Sequence, residues 1–182
     1  MEREKAQKAL QALPLEDQTW AEKGYRFGHI TLEVLSDHRK IREEREEFET
    51  AEHEARHATL AENNGATGIT MSLRPEGNAL GTTRFSLGRS LSPVEHLRRF
   101  MAIGAASIVG EGGDMYNIPR GCGGDIGQIR FAARLIEVIT RGKESAESTV
   151  ADAMSSAKQT LSMVGSHYIE QQAWRLYRQK VV

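Results

Sequence analysis

The feature that most constrains this chain is an uninterrupted helix-forming run from about Leu35 to Leu60, rich in Glu, Arg and Ala and free of Gly and Pro. It stops at Asn63-Asn64-Gly65, where a glycine can take the left-handed conformation that closes a helix. The last two turns of that run carry His53-Glu54-Ala55-Arg56-His57. Residues four apart share one face of a helix, so both imidazoles can reach one metal ion while Glu54 stands beside them.

This is the kit for zinc-dependent hydrolysis. Catalytic zinc takes three protein ligands and a water whose pKa falls to roughly 7, and Glu54 would accept that water's proton. Glu-rich helices meet the five-residue pattern by chance, and a charged solvated face is the competing reading. A third ligand is therefore needed.

The chain has 182 residues, enough for one domain with a real core. Its net charge of -1 leaves no electrostatic footprint for nucleic acid. No apolar run approaches the ~18 residues of a membrane span, and Met1-Glu2-Arg3-Glu4-Lys5 leads into no signal-peptide segment, so a cytoplasmic protein without a membrane partner is expected. The single Cys122 excludes an internal disulfide framework.

Residues 1–13 read as a short helix with Ala6, Leu10 and Leu13 on one side, stopped by Pro14. Leu15 to Val34 is ambiguous between helix and strand. Gly68 to Leu73 alternates and is β-branched, which predicts a strand, and Leu80 to Phe85 reads as its partner or an extended loop. Ser92-Pro93-Val94-Glu95 opens a helix with Ser at the N-cap, and Leu97 to Val109 supplies an apolar, small-residue surface for burial. Gly110 to Gly124 must be a loop, without the spacing of a phosphate-binding one. A further helix starts at Asp125, with Ile126, Ile129, Phe131, Ala132, Leu135, Ile136 and Ile139 on its apolar side, and Ser145 to Val182 reads as one or two more. The expected class is mainly α: a helical bundle-like metallopeptidase domain with one or two strands at about residues 68–85.

An Asp at a helix start is most simply an N-cap, but a carboxylate held there by a glycine-rich loop also suits a third zinc ligand. The order of parts then becomes recognisable. The His-Glu-x-x-His-Ala helix, the strand Ile69-Thr70-Met71, the turn with Arg74 and Gly77, and Ala79-Leu80-Gly81-x-Thr83 resemble the peptidase domain of the FtsH family of ATP-dependent zinc proteases. The resemblance runs on through Gly104-Ala105-Ala106, Gly124-Asp125-Ile126 and Ala133-Arg134, covering roughly residues 45 to 140.

The resemblance implies one FtsH-peptidase-like domain over 1–182, with an N-terminal extension (1–34), a zinc-site core (35–142) and C-terminal helices (143–182). It implies Zn2+ held by His53, His57 and Asp125, Glu54 as general base, and a peptide or unfolded protein as substrate. The strand Ile69 to Leu73, lying at a sheet edge, would pair with an extended substrate. Departures are Arg56 where the family has Gly, free to point to solvent; Ser107 and Ile108 in place of a Glu pair; and Gly124 in place of Asn. The family's ATPase module and membrane spans have no counterpart here, so a separate ATPase would have to deliver folded substrates. Relatives assemble as hexamers, which would allow a homo-oligomer.

Two alternatives stand beside the peptidase: a catalytically inactive relative serving as an interaction or oligomer subunit, and a zinc hydrolase acting on another bond. Glu111 and Asp114 are fallback ligands. Cys122 is read as a small loop residue before a ligand or silencing thiol, and His29, His38, His96 and His167 as surface or packing residues.

Overall fold

The computed structural model describes residues 2–182 and is mainly α, with eight helices and a two-stranded antiparallel sheet among them. No helix in the described residues is long and apolar enough to cross a membrane. The chain divides into two compact units, one ending at Thr50 and the other spanning Ala51–Val182. The division lies inside the long helix rather than at residue 34, and the residues after 142 belong to the second unit.

In the first unit, α1 (Glu2–Ala12) ends before Pro14, as its sequence predicts. The ambiguous stretch after it is helical: α2 (Leu15–Arg26) and the single turn α3 (Leu32–Leu35), the latter capped by Thr31. Gly24 is buried in α2, so a residue that weakens the helical signal sits at a packing point. Ala6, Leu13, Ala21, Ile30, Leu35 and Ile41 form this unit's core. Arg45 pairs with Asp17.

The long helix, α4 (His38–Asn63), starts where Asp37 Oδ1 accepts the Arg39 and Lys40 amides at 3.0 and 3.2 Å. It ends in a Schellman pattern: Ala66 N–H to the Ala61 carbonyl, Gly65 N–H to that of Glu62, and Gly65 at φ +71°.

In the second unit, the apolar helix α5 (Pro93–Gly110) packs against α6 (Gly123–Ile139) and α7 (Ala146–Val164), around a core that includes Leu60, Met101, Ile108, Ile129, Ile136 and Met154. A Cβ on Gly104 would stand 3.2 Å from Ile129, so the small residues of α5 set a close α5–α6 approach. Ser92 Oγ accepts the Glu95 amide at 3.2 Å, realising the expected cap. α6 buries Ile126, Ile129, Ala132, Ala133 and Ile136 only; Phe131, Leu135 and Ile139, expected in the core, are exposed beside Val138. Gly165 separates α7 from α8 (Ser166–Gln179).

The sheet corrects another expectation. β1 (Thr67–Ser72) pairs antiparallel with β2 (Thr82–Ser86), with Met71 opposite Thr83 and an irregularity between Thr67 and Thr70, where Gly68 has φ +62°. On its other side β1 meets the chain's own last residues. Met71 exchanges backbone hydrogen bonds with Val182 (2.7 and 2.9 Å), and Leu73 N–H donates to the Lys180 carbonyl at 2.8 Å. β1 is thus flanked on both sides, and the open edge belongs to β2. Because Met71 spends its N–H and C=O on Val182, its partner Thr83 turns its own outward, as does Phe85 two residues on. Among the described residues these outward groups have no backbone partner.

Candidate metal centre

α4 presents His53 and His57 from successive turns, and α6 presents Asp125. The helix α6 begins two residues before Asp125, with Cys122 at its N-cap, so Asp125 is not the cap. It lies in the first turn, where the helix dipole favours a carboxylate, and its side chain reaches across to α4 and α5. His53 Nε2 is 3.2 Å from His57 Nε2 and 3.2 Å from Asp125 Oδ2; His57 Nε2 is 3.5 Å from the same oxygen.

This triangle can be compared with what zinc requires. Two ligand atoms about 2.05 Å from one ion and about 109° apart stand about 3.3 Å from each other. The three observed separations bracket that figure. Two imidazole nitrogens facing each other beside a carboxylate oxygen also need a cation between them, either a proton or a metal. Two nitrogens and a carboxylate oxygen form a donor set that could hold a metal ion, and one that zinc accepts.

The ligands are themselves held. His57 Nδ1–H donates to the Ile103 carbonyl at 2.8 Å, which fixes the tautomer and leaves the Nε2 lone pair for a metal. His53 Nδ1 is 3.0 Å from Glu111 Oε1, a carboxylate–histidine pair of the same purpose. Ser107, wholly buried on α5, donates to Asp125 Oδ2 at 3.0 Å. In the metal-free protein, burial opposes a charged His53, but hydrogen bonds to Asp125, Cys122 and Glu111 outweigh it and its pKa is pushed up to about 12. Burial likewise opposes the Asp125 carboxylate. The bonds and charges of His53 and His57 prevail and hold its pKa well below the usual carboxylate range.

Glu54 is buried, and its Oε2 accepts the Thr83 hydroxyl of β2 at 2.7 Å. The same hydroxyl lies 3.0 Å from the Glu54 carbonyl, tying β2 to α4. Glu54 belongs to neither cluster of ligand atoms among the described residues.

Arg56 does not point to solvent. Its side chain is 13% exposed and lies between Glu52 (3.2 Å) and Glu111 (3.5 Å). Its stem crosses Gly110, where a Cβ would come 2.4 Å from Arg56 Cδ. Thus an absent side chain at the end of α5 makes room for the large one within the metal motif. Of the fallback ligands, Glu111 supports His53 instead, while Asp114 caps its own turn by accepting the Tyr116 and Asn117 amides at 2.8 Å. Thr83 and Ser107 stand out in the sequence only as a motif position and a departure from it, and the Ile103 carbonyl not at all; their supporting contacts arise through packing of distant segments. No protein-family model and no curated protein matches this chain at a significant level.

Proposed function

We propose that this chain is a zinc-dependent endopeptidase, with His53, His57 and Asp125 as metal ligands and Glu54 as general base. The observation that carries the reading is the ligand triangle of 3.2, 3.2 and 3.5 Å, closed by residues 72 positions apart and buttressed by Ile103, Glu111 and Ser107. The resemblance to the FtsH peptidase domain, carried by the sequence motifs, points to the same chemistry.

When bound, zinc would polarise a scissile carbonyl and acidify the attacking water. Glu54 takes that water's proton and returns it to the leaving amine. Thr83 holds Oε2 of Glu54 and leaves the other oxygen to accept the proton. The open edge of β2 starts from the residue that holds the base, so an extended peptide pairing with Thr83 and Phe85 runs beside the catalytic groups. Such pairing reads main chain more than side chains, which makes cleavage selectivity loose. Substrates are therefore flexible segments, peptides or unfolded proteins, whose backbone can lie extended along that edge.

The test is cleavage of casein by the zinc-loaded protein beside Glu54→Gln. Cleavage by the first and none by the second supports the proposal; stoichiometric zinc with no cleavage by either overturns it.

A further inference from the structure

Cys122 is wholly buried, and the chemistry above leaves it unused. Its Sγ lies 3.8 Å from Glu111 Oε2 and 4.0 Å from His53 Nδ1, and Glu111 Oε1 is 3.0 Å from that same nitrogen. The side of the His53 ring turned away from His57 and Asp125 thus has its own donor set: an imidazole nitrogen from α4, a carboxylate from the residue after α5 and a thiol from the N-cap of α6.

For a cation with Zn–S at about 2.3 Å and Zn–N or Zn–O near 2.1 Å, tetrahedral angles place sulfur about 3.6 Å from the nitrogen and oxygen, and those two about 3.4 Å apart. The Sγ–Nδ1 spacing exceeds its figure by 0.4 Å, and Glu111 faces sulfur with Oε2 and the nitrogen with Oε1, so its carboxylate must turn to bring one oxygen to both or bind through both; the three donor atoms lie within 4.8 Å of one another. The charges also match. Arg56 stands 3.5 Å from Glu111, but Glu52 lies 3.2 Å from it on the other side, which leaves the Glu111 carboxylate and a Cys122 thiolate to balance a divalent cation.

We propose that His53 Nδ1, Glu111 and Cys122 form a second site, for a soft divalent cation, that shares His53 with the first and inhibits it. A thiolate favours soft ions, so cadmium and excess zinc are the expected occupants. Binding replaces two protons, one from the Cys122 thiol and one from His53 Nδ1, with no change of oxidation state. Because His53 already serves the first ion through Nε2 and a second cation must stand against that charge, the second site fills at higher metal concentration than the first. Once filled, it draws Glu111 away from orienting His53. The inhibitory part rests on the endopeptidase reading; the binding site does not.

The experiment is a titration of the full-length, metal-free protein with Co2+, following thiolate-to-cobalt charge-transfer absorption in the near ultraviolet and ligand-field bands in the visible. The wild type should develop the thiolate band with the second equivalent. Cys122→Ser should lose that band while keeping the first equivalent, and Glu111→Gln, which retains the thiol, should need at least tenfold more cobalt to develop it. His57→Ala should lose the first-site spectrum and keep the thiolate band. A wild-type protein without that band, or a Cys122→Ser variant that still binds two equivalents, overturns the proposal. A thiolate band with the second equivalent, in a protein that cleaves nothing even at one equivalent of metal, would sink the peptidase reading and leave this site standing.

Discussion

Replacing Gly110 by Ala tests how Arg56 is accommodated. Near a helix end this change ordinarily stabilises, by up to about 1 kcal/mol. Here the new Cβ would sit 2.4 Å from Arg56 Cδ and 2.7 Å from Nε, whereas carbon atoms rest about 3.5–4.0 Å apart, so the stem must retreat by more than ~1 Å. It cannot retreat freely, because the side chain is enclosed and its guanidinium is held between Glu52 and Glu111. Overpacking of this kind costs about 1–3 kcal/mol, which outweighs the helical gain and leaves Gly110→Ala destabilising by about 1–2 kcal/mol. With Arg56→Ala the obstacle is gone, and the same substitution should stabilise by up to about 1 kcal/mol. Urea unfolding of the four proteins of this double-mutant cycle gives the coupling directly, and about 2 kcal/mol is expected. An identical effect of Gly110→Ala in both backgrounds would refute the reasoning.

Other substitutions probe the metal centre. Ser107→Ala removes the buried hydroxyl behind Asp125 and should weaken zinc binding about 10- to 100-fold in chelator competition; unchanged affinity would deny Ser107 that role. His57→Ala should leave the protein unable to hold stoichiometric zinc after dialysis, measured by elemental analysis. Thr83→Val should lower kcat for casein about tenfold or more with little change in KM, since the loss of one charge-assisted hydrogen bond, about 1.5–3 kcal/mol, falls on the base; a change confined to KM would argue against it. For the metal-free protein, the raised His53 pKa has a definite sign. Its contribution to stability is full below the unfolded-state pKa of about 6.5 and falls as pH rises toward about 12, so unfolding midpoints should decline across the accessible alkaline range. Zinc competes for the same nitrogen, so calorimetry near neutral pH in buffers of different ionisation enthalpy should show proton release on binding.

Local chemistry made much of this structure readable in advance. Ser92 and Asn63-Asn64-Gly65 mark helix ends through groups that act within a few residues, and the His53–His57 spacing follows from the helical repeat alone. Asp125 was identifiable as a candidate ligand through the order of motifs, although its helix begins earlier than its type suggests. What sequence conceals is pairing at a distance. Nothing near Met71 signals that Val182 will lie beside it, so the open edge was assigned to the wrong strand. Arg56 reads as solvated until Gly110, 54 residues later, is seen to make room for it. The stripe Phe131, Leu135 and Ile139 has the same periodicity as the buried one beside it, and only the packing of α5 and α7 decides which of the two is covered.

The open edge of β2 has a consequence for the protein as a solute. A row of unsatisfied amides and carbonyls bonds to any extended backbone, including the same strand of another molecule. Thr82-Thr83-Arg84-Phe85-Ser86 carries one charge, on exposed Arg84, and Glu76 pairs with it at 2.7 Å, which leaves little electrostatic guard against such self-pairing. Crowding should therefore set molecules competing with peptides for one another's edges, so that peptide turnover per molecule falls as the protein is concentrated and recovers on dilution.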